Sequence, residues 1–207
     1  MLHLIGNILM FSALAGAVLL VLPILAFATR ANPLLGLMDR LSALLAGIVS
    51  GIAGIAIWAG LAIAMIQLAV VIMRYVYGIN FIWLQETIVW LFGLLFLLTA
   101  GWALLKEEHV RVDIFYRDAP PKRKAIVDLA GTYLFLFPVC ILILWAAGPY
   151  VYRAWDVLER SREASGLPGV FLLKSAIPLF AVLVAMAGFT LASRAVNVLL
   201  GRDGETR

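Results

Sequence analysis

Five apolar runs, each long enough to cross a lipid bilayer, decide what this chain can become. They extend from Leu4 to Ala28, Leu41 to Met73, Phe81 to Leu105, Ala125 to Tyr150 and Phe171 to Leu200, with polar turns between them. A helix needs about 20 apolar residues to cross a hydrocarbon core about 30 Å thick. The alternation over roughly ten residues that marks a membrane strand is missing. With no water in the bilayer core to satisfy backbone groups, helices are the spanning element that remains. Composition agrees, since 64% hydrophobic side chains against 14% charged and a mean hydropathy of +1.04 lie far from those of soluble domains.

The expected fold is therefore an all-α integral membrane bundle of about five transmembrane helices, forming a single membrane domain over residues 1–207. Past Tyr150 the fourth helix is expected to continue to Arg160 as an amphipathic outer extension. Val151, Ala154, Trp155 and Leu158 fall on one face there, and Arg153, Asp156, Glu159 and Arg160 on another. That gives helices at about 4–28, 41–73, 81–105, 125–160 and 171–200. The tripeptide Ala26-Phe27-Ala28 is similar to a signal-peptide cleavage site. No Lys or Arg precedes the first run, however, and it outlasts a signal core of roughly 7–15 residues, so it reads as a retained helix.

The net charge of +4 does not point to nucleic acid, because the basic residues gather in loops beside helix ends. The segments 29–40, 106–124 and 202–207 hold most of them. If five helices span, the positive-inside rule places the N-terminus in the periplasm and the C-terminus in the cytoplasm.

Ionisable residues inside a spanning helix are costly and read first as functional. Glu86 lies near the start of the third helix between Trp83 and Trp90, and Asp128 lies near the start of the fourth. Arg74, at the end of the preceding helix, is the obvious partner for Glu86 within the chain; Asp128 reads as a favourable charge in a first helical turn. No nucleophile stands beside a base, no Gly-rich loop precedes a helix, and no His or carboxylate cluster has metal spacing, so neither enzyme activity nor a cofactor is expected. The one cysteine, Cys140, excludes an intrachain disulfide. On the second helix Ala43, Gly47 and Gly51, and likewise Ala46, Ser50 and Gly54, recur every fourth residue. Such rows let helices approach closely, either within the bundle or against another subunit.

Between the third and fourth helices the chain reads His109-Val110-Arg111-Val112-Asp113. Before it come Met73-Arg74-Tyr75-Val76 with Gly78, and Glu86; after it come Ile126-Val127-Asp128-Leu129, Pro149, Glu163-Ala164-Ser165-Gly166-Leu167-Pro168 and Ile177-Pro178. This ordered series, over roughly residues 46–200, resembles the small permease subunit of tripartite ATP-independent periplasmic (TRAP) transporters. The Gly-Leu-Pro turn, the Asp-Leu pair and the extra N-terminal region look most like the mannitol or chloroaromatic branch. The chain departs from that family in the segment 4–28, since four helices are usual in this subunit, and in Gly169-Val170-Phe171, where an aromatic often follows the Pro sooner.

The resemblance implies a non-catalytic scaffold in the bacterial inner membrane. Its partners would be a large membrane subunit holding the substrate and Na⁺ sites, and a soluble periplasmic binding protein. Import of organic, carboxylate-bearing solutes would be driven by an ion gradient. Glu86, Arg74, His109, Arg111, Asp113, Asp128, Gly166 and Pro168 are then the candidate structural or interface residues. The alternative is a membrane anchor for a redox enzyme, which needs haem ligands; His3 and His109 are the only histidines and fall on opposite sides of the expected bundle.

Overall fold

The computed structural model describes residues 16, 20–106, 116 and 119–202. Among the described residues six α-helices follow one another: α1 (Leu20–Thr29), α2 (Asn32–Val76), α3 (Ile82–Leu105), α4 (Pro121–Gly131), α5 (Phe137–Asp156) and α6 (Val170–Leu200). A π-helical turn, Thr132–Leu136, fuses α4 and α5 into one continuous 36-residue rod. Among the described residues no strand forms; one isolated bridge joins Arg160 to Pro168. The expected α-bundle is present. Four elements are long and apolar enough to cross a membrane, and α1 is a fifth, shorter apolar helix. Residues 4–15 and 17–19 of the first run lie outside the described residues.

Two boundaries differ from expectation for local reasons. α2 begins at Asn32 instead of Leu41, because Pro33 occupies its first turn with φ already helical. Leu35, Met38 and Leu45 carry the apolar period through Asp39 and Arg40. The expected loop 29–40 thus shrinks to a corner at Arg30, which has φ 54° and whose N–H donates to Ala26 O at 3.0 Å. At 45 residues, α2 is about 68 Å long at ~1.5 Å per residue, more than twice the hydrocarbon thickness.

The fourth rod, in turn, starts at Pro121 and stops at Asp156, four residues short of Arg160. Leu158 turns left-handed at φ 44°, and Glu159 N–H returns to Ala154 O at 2.9 Å. That closure satisfies end carbonyls that a longer helix would have bonded internally. Because the rod begins early, Asp128 lies two turns in and is not the first-turn charge expected.

α6 is the centre of the bundle and touches α2, α3, α4 and α5. Small buried residues, among them Ala181, Ala187, Gly188, Ala192 and Ala195, let its neighbours close in. At Gly101 of α3 a Cβ would stand 2.9 Å from Leu183 O, so the two backbones touch there. In lipid this close packing replaces the hydrophobic effect as the cohesive force. Near the start of α2, α1 buries Leu22 and Ala26 against Met38 of α2 and Phe189 and Val196 of α6. The π-turn presents Tyr133 to α1, where its hydroxyl donates to Leu20 O at 2.7 Å.

Candidate functional site

Polar side chains collect at the two ends of the bundle. One end is basic and contains the start of α2, the end of α3, the start of α4 and the end of α6. The other is the loop end, formed by residues 77–81 and 157–169.

Glu86 organises the loop end. It lies in the second turn of α3, half-buried, where the helix macrodipole favours a negative charge. One carboxylate oxygen accepts from the Ser161 hydroxyl, and Oε2 accepts the Leu167 backbone N–H at 2.6 Å. Hydrogen bonds to a charged acceptor contribute about 1.5–3 kcal/mol each. The loop folds tightly around this peg: Ser161 N–H donates to Leu167 O at 3.2 Å and Gly166 N–H to Glu163 O at 3.0 Å. A Cβ on Gly166 would run into the Ser161 side chain and stand 2.7 Å from Glu86 Oε2, so any larger residue forces a shift there. Gly169, at φ 112°, then turns the chain into α6.

Neighbouring contacts strap the loop to the helix ends. Lys174 Nζ bonds Glu159 Oε2 at 2.5 Å and sits 4.0 Å from the Tyr150 ring centroid. Trp155 Nε1 donates to Ser175 Oγ at 2.9 Å, and its ring meets Phe171 edge-on at 4.7 Å. The loop end is thus a braced platform of side chains with fixed partners.

At the basic end, Asn197 Nδ2 donates to Asp39 Oδ1 at 2.8 Å, and Arg202 Nη2 stands 3.6 Å from Asp39 Oδ2. Arg194 Nη1 donates to Leu105 O at 3.2 Å. A cation there closes the C-terminus of α3, where the dipole is negative. Tyr116 donates its hydroxyl to Asp128 Oδ2 at 2.7 Å, and Lys124 lies 5.2 Å from the Tyr116 ring centroid.

The candidate residues therefore separate. Glu86, Gly166 and Pro168 come together at the loop end. Arg74 lies in the last turn of α2, exposed, and forms no ion pair with Glu86; the expected pair is replaced by Ser161 and Leu167. Asp128 belongs to the basic end. His109, Arg111 and Asp113 lie outside the described residues. Sequence reasoning missed Ser161, Asp39 and Asn197; the signal available was Asp39 at helical spacing from Leu35 and Met38, on a pattern that Pro33 starts.

The chain matches no curated protein and no solved structure. A family described as tripartite ATP-independent periplasmic transporters, DctQ component, matches residues 63–198, well over half of the chain. The match begins about two thirds of the way along α2, later than the residue 46 from which the resemblance reads, so α1 and the first 31 residues of α2 fall outside it. With four apolar helices long enough to span, closed at one end by the Glu86-centred loop, the chain belongs to the DctQ family, the small membrane component of tripartite ATP-independent periplasmic transporters.

Proposed function

We propose that this chain is the scaffold of its transporter, bracing a large membrane subunit that carries the substrate and the coupling ion. The observation that carries this reading is where charge is missing. Residues 41–73, 87–105, 129–152 and 175–193 contain no Asp, Glu, Lys, Arg or His. A proton or ion path needs a ladder of such groups across the bilayer. Several ionisable side chains at the ends are engaged with their own chain, as Glu86 is with Leu167 and Arg194 with Leu105. Binding of Na⁺ is accordingly assigned to the large subunit, and the periplasmic binding protein delivers organic solutes, carboxylates foremost.

The positive-inside rule supports a cytoplasmic basic end in the bacterial inner membrane, and a periplasmic N-terminus if residues 4–28 span completely. The loop end, braced by Glu86, then faces the binding protein. His109, Arg111 and Asp113 are assigned structural or interface roles beside the large subunit. The mannitol or chloroaromatic branch rests on the Gly166-Leu167-Pro168 turn, the Asp128-Leu129 pair and the N-terminal region alone.

The test is purification in mild detergent through a tag on this chain, with mass spectrometry of its companions. Recovery of one large polytopic membrane protein supports the scaffold reading. A haem protein, or no companion, overturns it. Reconstituted alone, the chain is expected to support no solute uptake.

A further inference from the structure

We propose that the face of α2 carrying Ala43, Ala46, Gly47, Ser50, Gly51 and Gly54 receives a transmembrane helix of the large subunit, which brings a hydrogen-bond donor to the polar pocket at the basic end of that face. The proposal rests on the assignment of this chain as the small subunit of a membrane assembly.

Outward surfaces elsewhere in the bundle suit lipid. Trp58, Phe96 and Trp145 are 70%, 67% and 77% exposed, and such bulky side chains fill the space beside disordered acyl chains. The inner half of α2 is different, since Ala43, Gly47, Ser50, Gly51 and Gly54 are all exposed. A methyl group placed on Gly47, Gly51 or Gly54 would meet nothing within 4 Å. Where the chain uses glycine for its own packing, at Gly101 and Gly188, a Cβ would instead collide with a neighbouring helix. The small face of α2 therefore matches the close backbone approach of a helix, and the described residues supply none.

The second observation is polar. Where this face meets α6, a cavity of about 340 Å³ opens between Asp39, Ser42, Thr190, Ser193, Arg194 and Asn197, and Ala43 and Ala46 complete its wall. Asn197 is 7% exposed, and its Nδ2 is held by Asp39. A carboxylate only accepts, so that bond fixes the amide orientation and turns Oδ1 away from Asp39. Oδ1 is buried and has no hydrogen-bond partner among the described residues. An apolar helix end laid over this pocket would leave that acceptor unmet, whereas a hydroxyl, amide or ammonium donor satisfies it.

A second copy of this chain is an outcome the experiment separates, since two copies related by a two-fold axis would present the same patch to each other. Residues 43–54 lie outside the family match, which spans 63–198.

The experiment places a photo-crosslinking residue at Gly51 or at Ala43 in the chain co-expressed with its large subunit, and tests Gly51→Leu in parallel. An adduct with the large subunit from both positions supports the proposal. So does a loss of tenfold or more in recovered large subunit with Gly51→Leu, while this chain still inserts in the membrane. The peptide captured at Ala43 is expected to carry a donor side chain; a captured peptide with none overturns the donor. Adducts with a second copy or with lipid alone, or full recovery of the partner by Gly51→Leu, overturn the interface. If the unsubstituted chain recovers no large subunit, the small-subunit assignment itself fails, and the proposal with it.

Discussion

The carboxylate of Glu86 holds the backbone N–H of Leu167 at 2.6 Å across 81 residues of chain. That contact, with the Ser161 hydroxyl on the other oxygen, ties the start of α3 to the segment leading into α6. Removing it with Glu86→Ala strands a backbone donor and a hydroxyl in a half-buried place. The expected cost is about 1–3 kcal/mol, read as a lower unfolding temperature in detergent and faster protease cleavage within residues 157–169. Glu86→Gln keeps one acceptor and should fall between. Because the loop platform is loosened, Glu86→Ala should also lower recovery of the large subunit; unchanged cleavage and recovery would remove Glu86 as the organiser of this end.

Gly166 is constrained by the same contact, between Ser161 and Glu86. A Cβ there would run into the Ser161 side chain and lie 2.7 Å from Glu86 Oε2, so Gly166→Ala must displace either the loop or the peg. The variant is expected to reproduce the loop cleavage of Glu86→Ala, and combining the two should add little, since contacting residues do not behave additively. Fully additive losses would show that the two act through separate contacts.

The α3–α6 crossing has its own constraint at Gly101, where a Cβ would stand 2.9 Å from Leu183 O and 3.3 Å from Val49 Cγ1. The first of these neighbours is backbone and cannot rotate away. Overpacking of this kind costs typically about 1–3 kcal/mol. Gly101→Ala should therefore lower thermal stability measurably, while Gly47→Ala, with open space around it, should leave the isolated chain unchanged. Equal effects at the two glycines would contradict the packing described.

How far the sequence carried these conclusions depends on the kind of signal each contact leaves. Apolar runs showed the spanning helices, and a lone carboxylate in an apolar stretch singled out Glu86. Its partners stayed hidden: a serine hydroxyl and a backbone N–H carry no charge, so the eye went to Arg74. Asp39 looked like a loop residue because it and Arg40 interrupt the apolar run, yet Pro33 and the spacing of Leu35, Met38 and Leu45 continue a helix through them. The amphipathic pattern ran on to Arg160, but side-chain periodicity cannot register the left-handed turn at Leu158 that ends the helix at Asp156. The basic-end pocket joins residues 158 positions apart and has no local signature at all.

That long-range pair yields the sharpest energetic test. Asp39→Leu alone leaves the Asn197 amide without its acceptor and the Arg202 guanidinium without the carboxylate 3.6 Å away. Breaking a buried polar pair on one side leaves the desolvation cost of the other, about 1–3 kcal/mol. Replacing both members by apolar groups removes the share that Asn197 carries, while the loss at Arg202 stays, so the double variant Asp39→Leu with Asn197→Leu should be more stable than Asp39→Leu alone. The comparison needs unfolding midpoints of the two single variants, the double variant and the parent in one detergent. Recovery in the double variant means that the two side chains act as a pair joining α2 to α6; a double variant as unstable as the sum of the singles would mean that each is held by something else.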